Sequence, residues 1–424
     1  MSATQTPPRP GRSAMRERVA ELTSSPWRLV LLVVAGFVVL SAVREATGAN
    51  DLTAGGTVGA ALTLSVPIAL AALGGLWSER SGVINIGLEG MMILGTWFGA
   101  WGAYTFHSPW VGLLVGVAGG MAGGMLHAIA TITFGVDHIV SGVAINILAA
   151  GLTRYLSVQF FLGIPGGGAS QSPQLPGFPT IDLLPFGGAL AAVEEMRWFL
   201  LSDLAGVARG LTTNLSLLTI IAVLLVPLSY FVLWHTAFGL RLRSCGENPA
   251  AAESLGVGVY RMKYAGVLVS GALSGLAGVF LVMVASSAYQ EGQTGGRGFI
   301  GLAAMIFGNW RPGGLAAGAG LFGFTDALQL RGSASAVHAL LLLLALALLP
   351  LALRAVWRRR LVVASVTGVV VVGLLVWFFA SDSVPRQLVT YSPHIATLLV
   401  LSLASQRLRA PAADGVRYRK GEGG

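Results

Sequence analysis

Residues 78–92 read SERSGVINIGLEGMM, and how this stretch is accommodated decides the fold. Long apolar runs lie on both sides, yet it holds Glu79, Arg80, Asn85 and Glu89 among glycines at 82, 87 and 90. If residues 83–93 are helical, Asn85, Glu89 and Met92 fall at i, i+4 and i+7 on one face. A charge at the centre of a bilayer costs at least about 2.5–3.5 kcal/mol, so that face is expected to turn toward protein or water. The glycines let a neighbouring helix come close, or let the segment break and expose backbone to a cavity. Two readings of Glu89 stay open: a group on a solute pathway, or a neutral or paired acid that holds helices together. Asn146, in HIVSGVAINILAAGL, is a second intramembrane amide, either a ligand contact or an interhelical hydrogen bond.

Composition supports a membrane setting. Of 424 residues, 54% are hydrophobic and 11% charged, against about 25% charged in an ordinary globular domain. Apolar runs near 29–46, 57–76, 84–105, 110–134, 138–157, 214–235, 264–288, 298–309, 313–330, 336–353, 361–380 and 388–405 are candidate spans. Most approach the roughly 20 residues that cross a hydrocarbon core. The fold class is therefore all-α, a polytopic membrane protein of about 10–12 transmembrane helices. The run at 298–309 is too short to cross alone and is expected to be half of a broken or re-entrant element, closed by the turn NWRPGG from Asn309 to Gly314.

The net charge of +9 does not point to nucleic acid, because the basic residues sit in short clusters between apolar runs and read as orientation signals. Arg9, Arg12, Arg16, Arg18 and Arg28 lie in the tail 1–28, and Arg241, Arg243, Arg261 and Lys263 in the loop 236–263. Arg354, Arg358, Arg359 and Arg360 follow the run at 336–353, and Arg407, Arg409, Arg417, Arg419 and Lys420 mark the tail 406–424. All four clusters fall on one side of the twelve-span arrangement, so both termini are expected in the cytoplasm, with the membrane domain over 29–405. The Gly/Pro/Ser-rich connection 158–213 is expected on the outer side as a cap without assigned chemistry.

No P-loop, HExxH pair or G-x-S-x-G elbow is present. The six histidines are scattered without metal-ligand spacing, and the single Cys245 allows neither an internal disulfide nor a cysteine zinc site. No metal site is expected. The loop TAFGLRLRSCGENPAAAESLGVGVYRMKYAG, 236–266, differs from the other connections in composition. Asn248-Pro249 is a good helix start, with Asn as cap and Pro at the first helical position, and Gly256 is a good stop. A short helix there, on the positive side, suits the groove of a soluble partner; an ordinary interfacial helix is the other reading.

GVINIGLEGMM, LRLRSCGENPAAAESLGV, SGALSGLAGVFL at 270–281 and the ending APAADGVRYRKGE together resemble the permease subunits of ATP-binding-cassette importers. More narrowly, the chain resembles the nucleoside and simple-sugar branch, related to branched-chain amino acid permeases, over about 57–157, 214–330 and from 388. The resemblance implies a type II importer-like permease in the cell membrane, non-catalytic and without a cofactor of its own. ATP and Mg are held by a partner ATPase. A second permease subunit, self or paralogue, and an extracytoplasmic substrate-binding lipoprotein complete the implied complex. It makes Arg243, Gly246, Glu247, Asn248, Pro249, Ala251, Ala252 and Gly256 the segment that contacts the ATPase, and puts Asn85, Glu89, Asn146 and Asn309 near the solute pathway. The 158–213 loop and the probable extra helix pair at 336–380 depart from the family pattern. Nucleosides are the expected solute, with simple sugars and branched-chain amino acids as alternatives. An ion-gradient transporter is the alternative of another class; it needs a relay of intramembrane acids, for which the apolar runs offer Glu89 and Asp326.

Overall fold

The computed structural model describes residues 26–331, 334–381, 383–385 and 408–421. The helices are α1 (Pro26–Thr47), α2 (Gly55–Arg80), α3 (Leu88–Phe106), α4 (Pro109–Ala128, continued by a π turn at Ile129–Thr133) and α5 (His138–Phe160). There follow α6 (Gly187–Glu195), α7 (Leu201–Thr212), α8 (Leu217–His235), α9 (Ala237–Glu247) and α10 (Pro249–Ser254). The chain continues through α11 (Val259–Phe280, with a π turn at Leu281–Ala285), α12 (Arg297–Phe307), α13 (Pro312–Arg331), α14 (Ala334–Trp357) and α15 (Leu361–Ala380). One two-residue pairing, β1 (Thr180–Ile181) with β2 (Leu215–Ser216), is the sheet among the described residues. Seven of these helices, extended by their π turns, are long and apolar enough to cross a membrane. The span expected at 388–405 and the basic tail before residue 26 lie outside the described residues.

At the centre stand α2 and α11, buried over Ser65–Glu79 and Ser270–Phe280. In lipid no hydrophobic force drives helices together, so association depends on close packing, which small residues permit. Here glycines supply it. On α4, Gly116, Gly120 and Gly124 recur every four residues and face Gly271 and Gly275 of α11. A Cβ on Gly120 would lie 2.4 Å from the Cα of Gly275, and one on Gly95 of α3 would lie 2.3 Å from the Gly275 carbonyl oxygen. Between the crossings Trp97, buried on α3, donates its indole N–H to Ser157 Oγ at 3.0 Å.

Two elements are interrupted. The helix expected from residue 83 begins only at Leu88, and Ser81–Gly87 is irregular backbone. The polar stripe that a helix over 83–93 would have made is therefore absent, and Asn85 precedes the helix that carries Glu89. Gly82 adopts a left-handed φ of +85° at the start of this break. The second interruption is α12, the short element expected at 298–309. It packs on α2 with Gly301 against Ile68 and Ala71, and Met305 against Gly75. Its first turn thus lies level with the middle of α2, and its end level with Arg80.

The connections sort onto two faces. Loops at 80–83, 246–258 and 308–311 and the tail 408–421 touch one another on one side, called the basic face. The long connection 162–216 lies on the opposite side, where α7 packs on the start of α2. There a Cβ on Gly206 would lie 2.4 Å from Thr53 O and one on Gly210 2.6 Å from Gly55 O. The ion pair of Arg44 with the buried Asp203 at 2.9 Å ties α1 to α7, and Arg209 to Glu194 at 2.9 Å ties α7 to α6. This segment is a docked helical pair and not a loose cap.

Gly120→Ala is expected to lower the thermal midpoint in detergent, because overpacking a tight crossing costs about 1–3 kcal/mol. Gly151→Ala, at a helical glycine with nothing within 4 Å of its added Cβ, is expected to be neutral or stabilising by up to about 1 kcal/mol. Equal responses of the two variants in a thermal melt contradict the packing account.

Candidate translocation and coupling site

Unwound backbone at membrane depth is tolerated only where it is buried in protein or lines a water-filled cavity. Ser81–Gly87 takes the first course, and its polar groups are met by side chains from four helices. Ser78 Oγ donates to Val83 O at 2.6 Å, and Lys263 Nζ of α11 donates to Gly82 O at 3.1 Å. The N–H of Ile84 donates to His138 Nδ1 at 3.2 Å, while His127 Nε2 lies 2.9 Å from Ile84 O. A carbonyl only accepts, so His127 carries its proton on Nε2 and takes the Ser141 hydroxyl on Nδ1 at 2.9 Å. Asn146 of α5 spans the break: Nδ2 donates to Ile86 O at 3.1 Å and Oδ1 accepts from Gly90 N at 2.7 Å. Asn85 accepts from Gly87 N at 3.0 Å and donates to Ser270 Oγ of α11 at 2.9 Å.

Glu89 answers to the other interruption. Its carboxylate accepts from Gly296 N at 2.9 Å and Gly298 N at 2.6 Å, the first backbone donors of α12. A helix start carries about half a positive charge and unpaired N–H groups, so it is a natural counterpart for an anion. Gly298 permits the approach, since a Cβ there would lie 2.6 Å from the Glu89 Cα. Arg297, between the two donors, lies 4.0 Å from Asp326 of α13. Both acids of the proposed ion relay thus have partners.

On the basic face the SER of SERSG is a junction. Glu79 Oε2 accepts from Trp310 Nε1 at 2.6 Å, and Arg80 donates to Trp310 O at 2.8 Å through Nη2. The same guanidinium lies 3.6 Å from Glu247 at the end of α9 and 5.4 Å from the Trp234 ring of α8. Arg243 stacks on that ring at 5.3 Å and donates to Leu233 O at 2.8 Å. Gly246 sits directly on the turn, since a Cβ would lie 2.4 Å from Arg80 O. Asn248 caps α10 by accepting from Ala251 N at 3.0 Å, Pro249 opens the helix, Ala252 is buried, Ala251 is exposed, and Gly256 follows the end with φ +80°. Leu255 protrudes beside it, 84% exposed. A helix for α9 itself was not anticipated from the sequence.

The C-terminal segment closes this face. Arg409 N donates to Asn309 Oδ1 at 2.7 Å, and Ala413 N donates to Gly246 O at 2.8 Å. Asp414 is inserted against Glu79, with Lys263 and Arg80 nearby. Burial pushes the Asp414 carboxyl up to about 7, a rise that the contact with Glu79 and the two cations oppose. Burial likewise lifts the Cys245 thiol to about 11, which leaves it unreactive.

The four residues expected near a pathway therefore fall in two places. Asn85, Glu89 and Asn146 gather at the break between Gly82 and α3, with their hydrogen bonds used on backbone and, for Asn85, also on the Ser270 hydroxyl; Asn309 lies on the basic face under the tail. His127, His138 and Lys263 belong to the same site and were not singled out in the sequence. The visible signal for His127 and His138 is a histidine inside a candidate span, which requires a partner; Lys263 counted with the basic loop 236–263, whereas the helix α11 starts earlier, at Val259, and buries it.

The family model described as branched-chain amino acid transport system / permease component matches residues 57–353. A guanosine ABC transporter permease protein of Bacillus subtilis is 33% identical over 371 residues, 86% of this chain and 97% of that protein. A nucleoside ABC transporter permease protein of Lactococcus lactis is 32% identical over 85% of this chain and 95% of its own length. A putative glucose ABC transporter permease protein of Haloferax volcanii is 34% identical over 66% of this chain and 78% of its own. No solved structure matches the chain.

Glu89→Gln leaves one acceptor for two buried N–H groups, so it is expected to destabilise the folded chain by about 1–3 kcal/mol, read as a lower thermal midpoint. Asp414 holds its proton more tightly docked, about 7, than the 3.8 usual for Asp. Docking of the tail is accordingly strongest in acid, weakens as pH climbs to about 7 and levels off above it. A spin label at position 420 is expected to gain mobility across that window, and Asp414→Asn to flatten the profile.

Proposed function

Because the chain belongs to the branched-chain amino acid transport system / permease component family, we propose that it is the membrane-spanning permease subunit of an ATP-binding-cassette importer for nucleosides. The observation that carries this reading is near full-length similarity to permeases named for guanosine and nucleoside transport. Hydrolysis belongs to a partner ATPase, which binds ATP and Mg, and the chain works beside a second permease subunit, a paralogue or a second copy of itself. By the placement of Arg and Lys the basic face is cytoplasmic and carries both termini. A lipoprotein that binds the solute delivers it to the opposite face.

The ATPase docks on α10, with Leu255 as the apolar contact at its tip. Closure of the ATPases displaces α9 and α10. The contacts of Gly246 and Glu247 with Arg80 carry the displacement to α2. From there Ser78 and Lys263 hold the break, and Glu89 holds α12, so these parts move as one body between inward-open and outward-open states. In this mechanism Asn85, Glu89 and Asn146 serve the pathway by fixing the helices around it. The engagement of Glu89 by a helix start and of Asp326 by Arg297 disfavours an ion relay. Simple sugars are the second reading of the solute, favoured by the glucose permease relative.

In cells that carry the complete importer, uptake of labelled guanosine is expected to stop when the partner ATPase is inactivated. Leu255→Asp is expected to reduce uptake and solute-stimulated ATP hydrolysis about tenfold or more, with the chain inserted normally. Uptake that continues on an ion gradient without the ATPase overturns the importer reading.

A further inference from the structure

Among the described residues, two stretches of irregular backbone at membrane depth are treated in opposite ways. Ser81–Gly87 is largely buried, and side chains meet its polar groups. The connection from Ser286 to Gly296 is covered only in part, with Tyr289 and Thr294 buried. Gln290, Glu291, Gly292 and Gly295 are exposed, although this segment runs inward from the outer end of α11 to Glu89 at the level of mid-α2. Its upper part is stapled to the long connection, with Ser172 N donating to Tyr289 O at 3.0 Å and Glu291 N to Ser170 O at 2.8 Å. Its lower part descends through left-handed glycines at 292, 295 and 296. Exposed irregular backbone at that depth is compatible with water and not with lipid.

The side chains agree. Arg154 of α5 is paired with Glu291, and the two are 50% and 40% exposed. Arg154 stands six residues before the end of α5, about 9 Å inside it. A half-exposed ion pair there faces an aqueous space, because facing lipid would cost each charge several kcal/mol. Gln293 braces the segment from within, its Oε1 accepting from Gln290 N at 3.0 Å and its Nε2 buried. Tyr155, 62% exposed, follows Arg154 on α5.

From these observations we infer that the outer half of α5 and the re-entrant connection Gln290–Gly296 form the wall of the solute pathway, with Glu291 and Arg154 as its solute-contacting groups. A carboxylate and a guanidinium held together present acceptors and donors with no net charge. That combination suits the neighbouring hydroxyls of an uncharged polyol, such as the ribose of a nucleoside, and rejects anions and cations alike. The inference rests on the importer reading and assigns the pathway to a set of residues separate from the buried amides at the break.

The chain's single, buried cysteine makes a direct test possible. In a Cys245→Ala background, Gln290→Cys and Glu291→Cys are treated in intact cells with a charged, membrane-impermeant thiosulfonate. Leu224→Cys, at an exposed apolar position of α8, away from α5, is the lipid-facing reference. Thiolate forms only where water reaches, so positions 290 and 291 are expected to react about tenfold or more faster than 224, and guanosine is expected to slow them. Glu291→Gln is expected to lower uptake about tenfold, the loss of one charge-assisted hydrogen bond, at unchanged membrane abundance. Reaction at 290 and 291 no faster than at 224 overturns the inference, since lipid or the partner permease then covers this face. Fast reaction that no transported solute slows overturns the solute contact. Fast reaction slowed by glucose and not by guanosine supports the pathway and defeats the nucleoside reading instead.

Discussion

Everything in this structure turns on one constraint: seven residues of non-helical backbone, Ser81–Gly87, lie within a membrane protein and must have each polar group met from inside the molecule. An unmet buried N–H or carbonyl costs about 1–3 kcal/mol, so a handful of failures would cancel the stability of a typical domain. The residues that meet them come from α2, α4, α5 and α11. Ser78, His127, His138, Asn146 and Lys263 are otherwise unexplained in such apolar helices. Their presence also fixes the relative positions of those helices, because their bonds converge on the same few residues, Gly82–Ile86.

The break has a mechanical consequence. A continuous helix from Gly55 to Phe106 could not reverse direction at the basic face, whereas the break lets α2 end at Arg80 and α3 begin at Leu88, beside Gly75 of α2. The start of α3 then brings Glu89 to the start of the short α12, so two helix starts meet around one carboxylate. Below them Arg80 links α2 to α8, α9 and the turn after α12. Contacts therefore run without a gap from α10 to the middle of the membrane domain. Such continuity is what a displacement at the coupling surface requires, and rigid packing through glycine crossings keeps it from being absorbed on the way.

The two irregular segments also divide the labour. The first is sealed and serves as a joint; the second, at Gln290–Gly296, is open and polar. A protein that must pass a solute without letting lipid or ions through needs both kinds, and glycine is frequent in each for a different reason. In the joint it permits helices to approach, as at Gly87 against Gly142. In the open segment it supplies left-handed turns at 292, 295 and 296.

Much of the architecture was legible in the residues alone. Run length and hydropathy located the helices from α1 to α15 that cross or half-cross, since a bilayer imposes a length that any sequence must display. Local chemistry located α10, because Asn248, Pro249 and Gly256 act within a few residues of themselves. The glycines in SERSGVINIGLEG allowed either a close helix approach or a break, and the shortness of 298–309 pointed to a broken or re-entrant element. What the chain could not announce was who meets whom. Glu89 finds its donors 207 and 209 residues away, Lys263 its acceptor 181 away, and Asn309 the tail 100 away. No periodicity encodes such pairs; they exist only after helices have packed. Sequence determined that these polar groups needed partners, and tertiary structure decided the partners, because a hydrogen bond is a condition on distance in space and not along the chain.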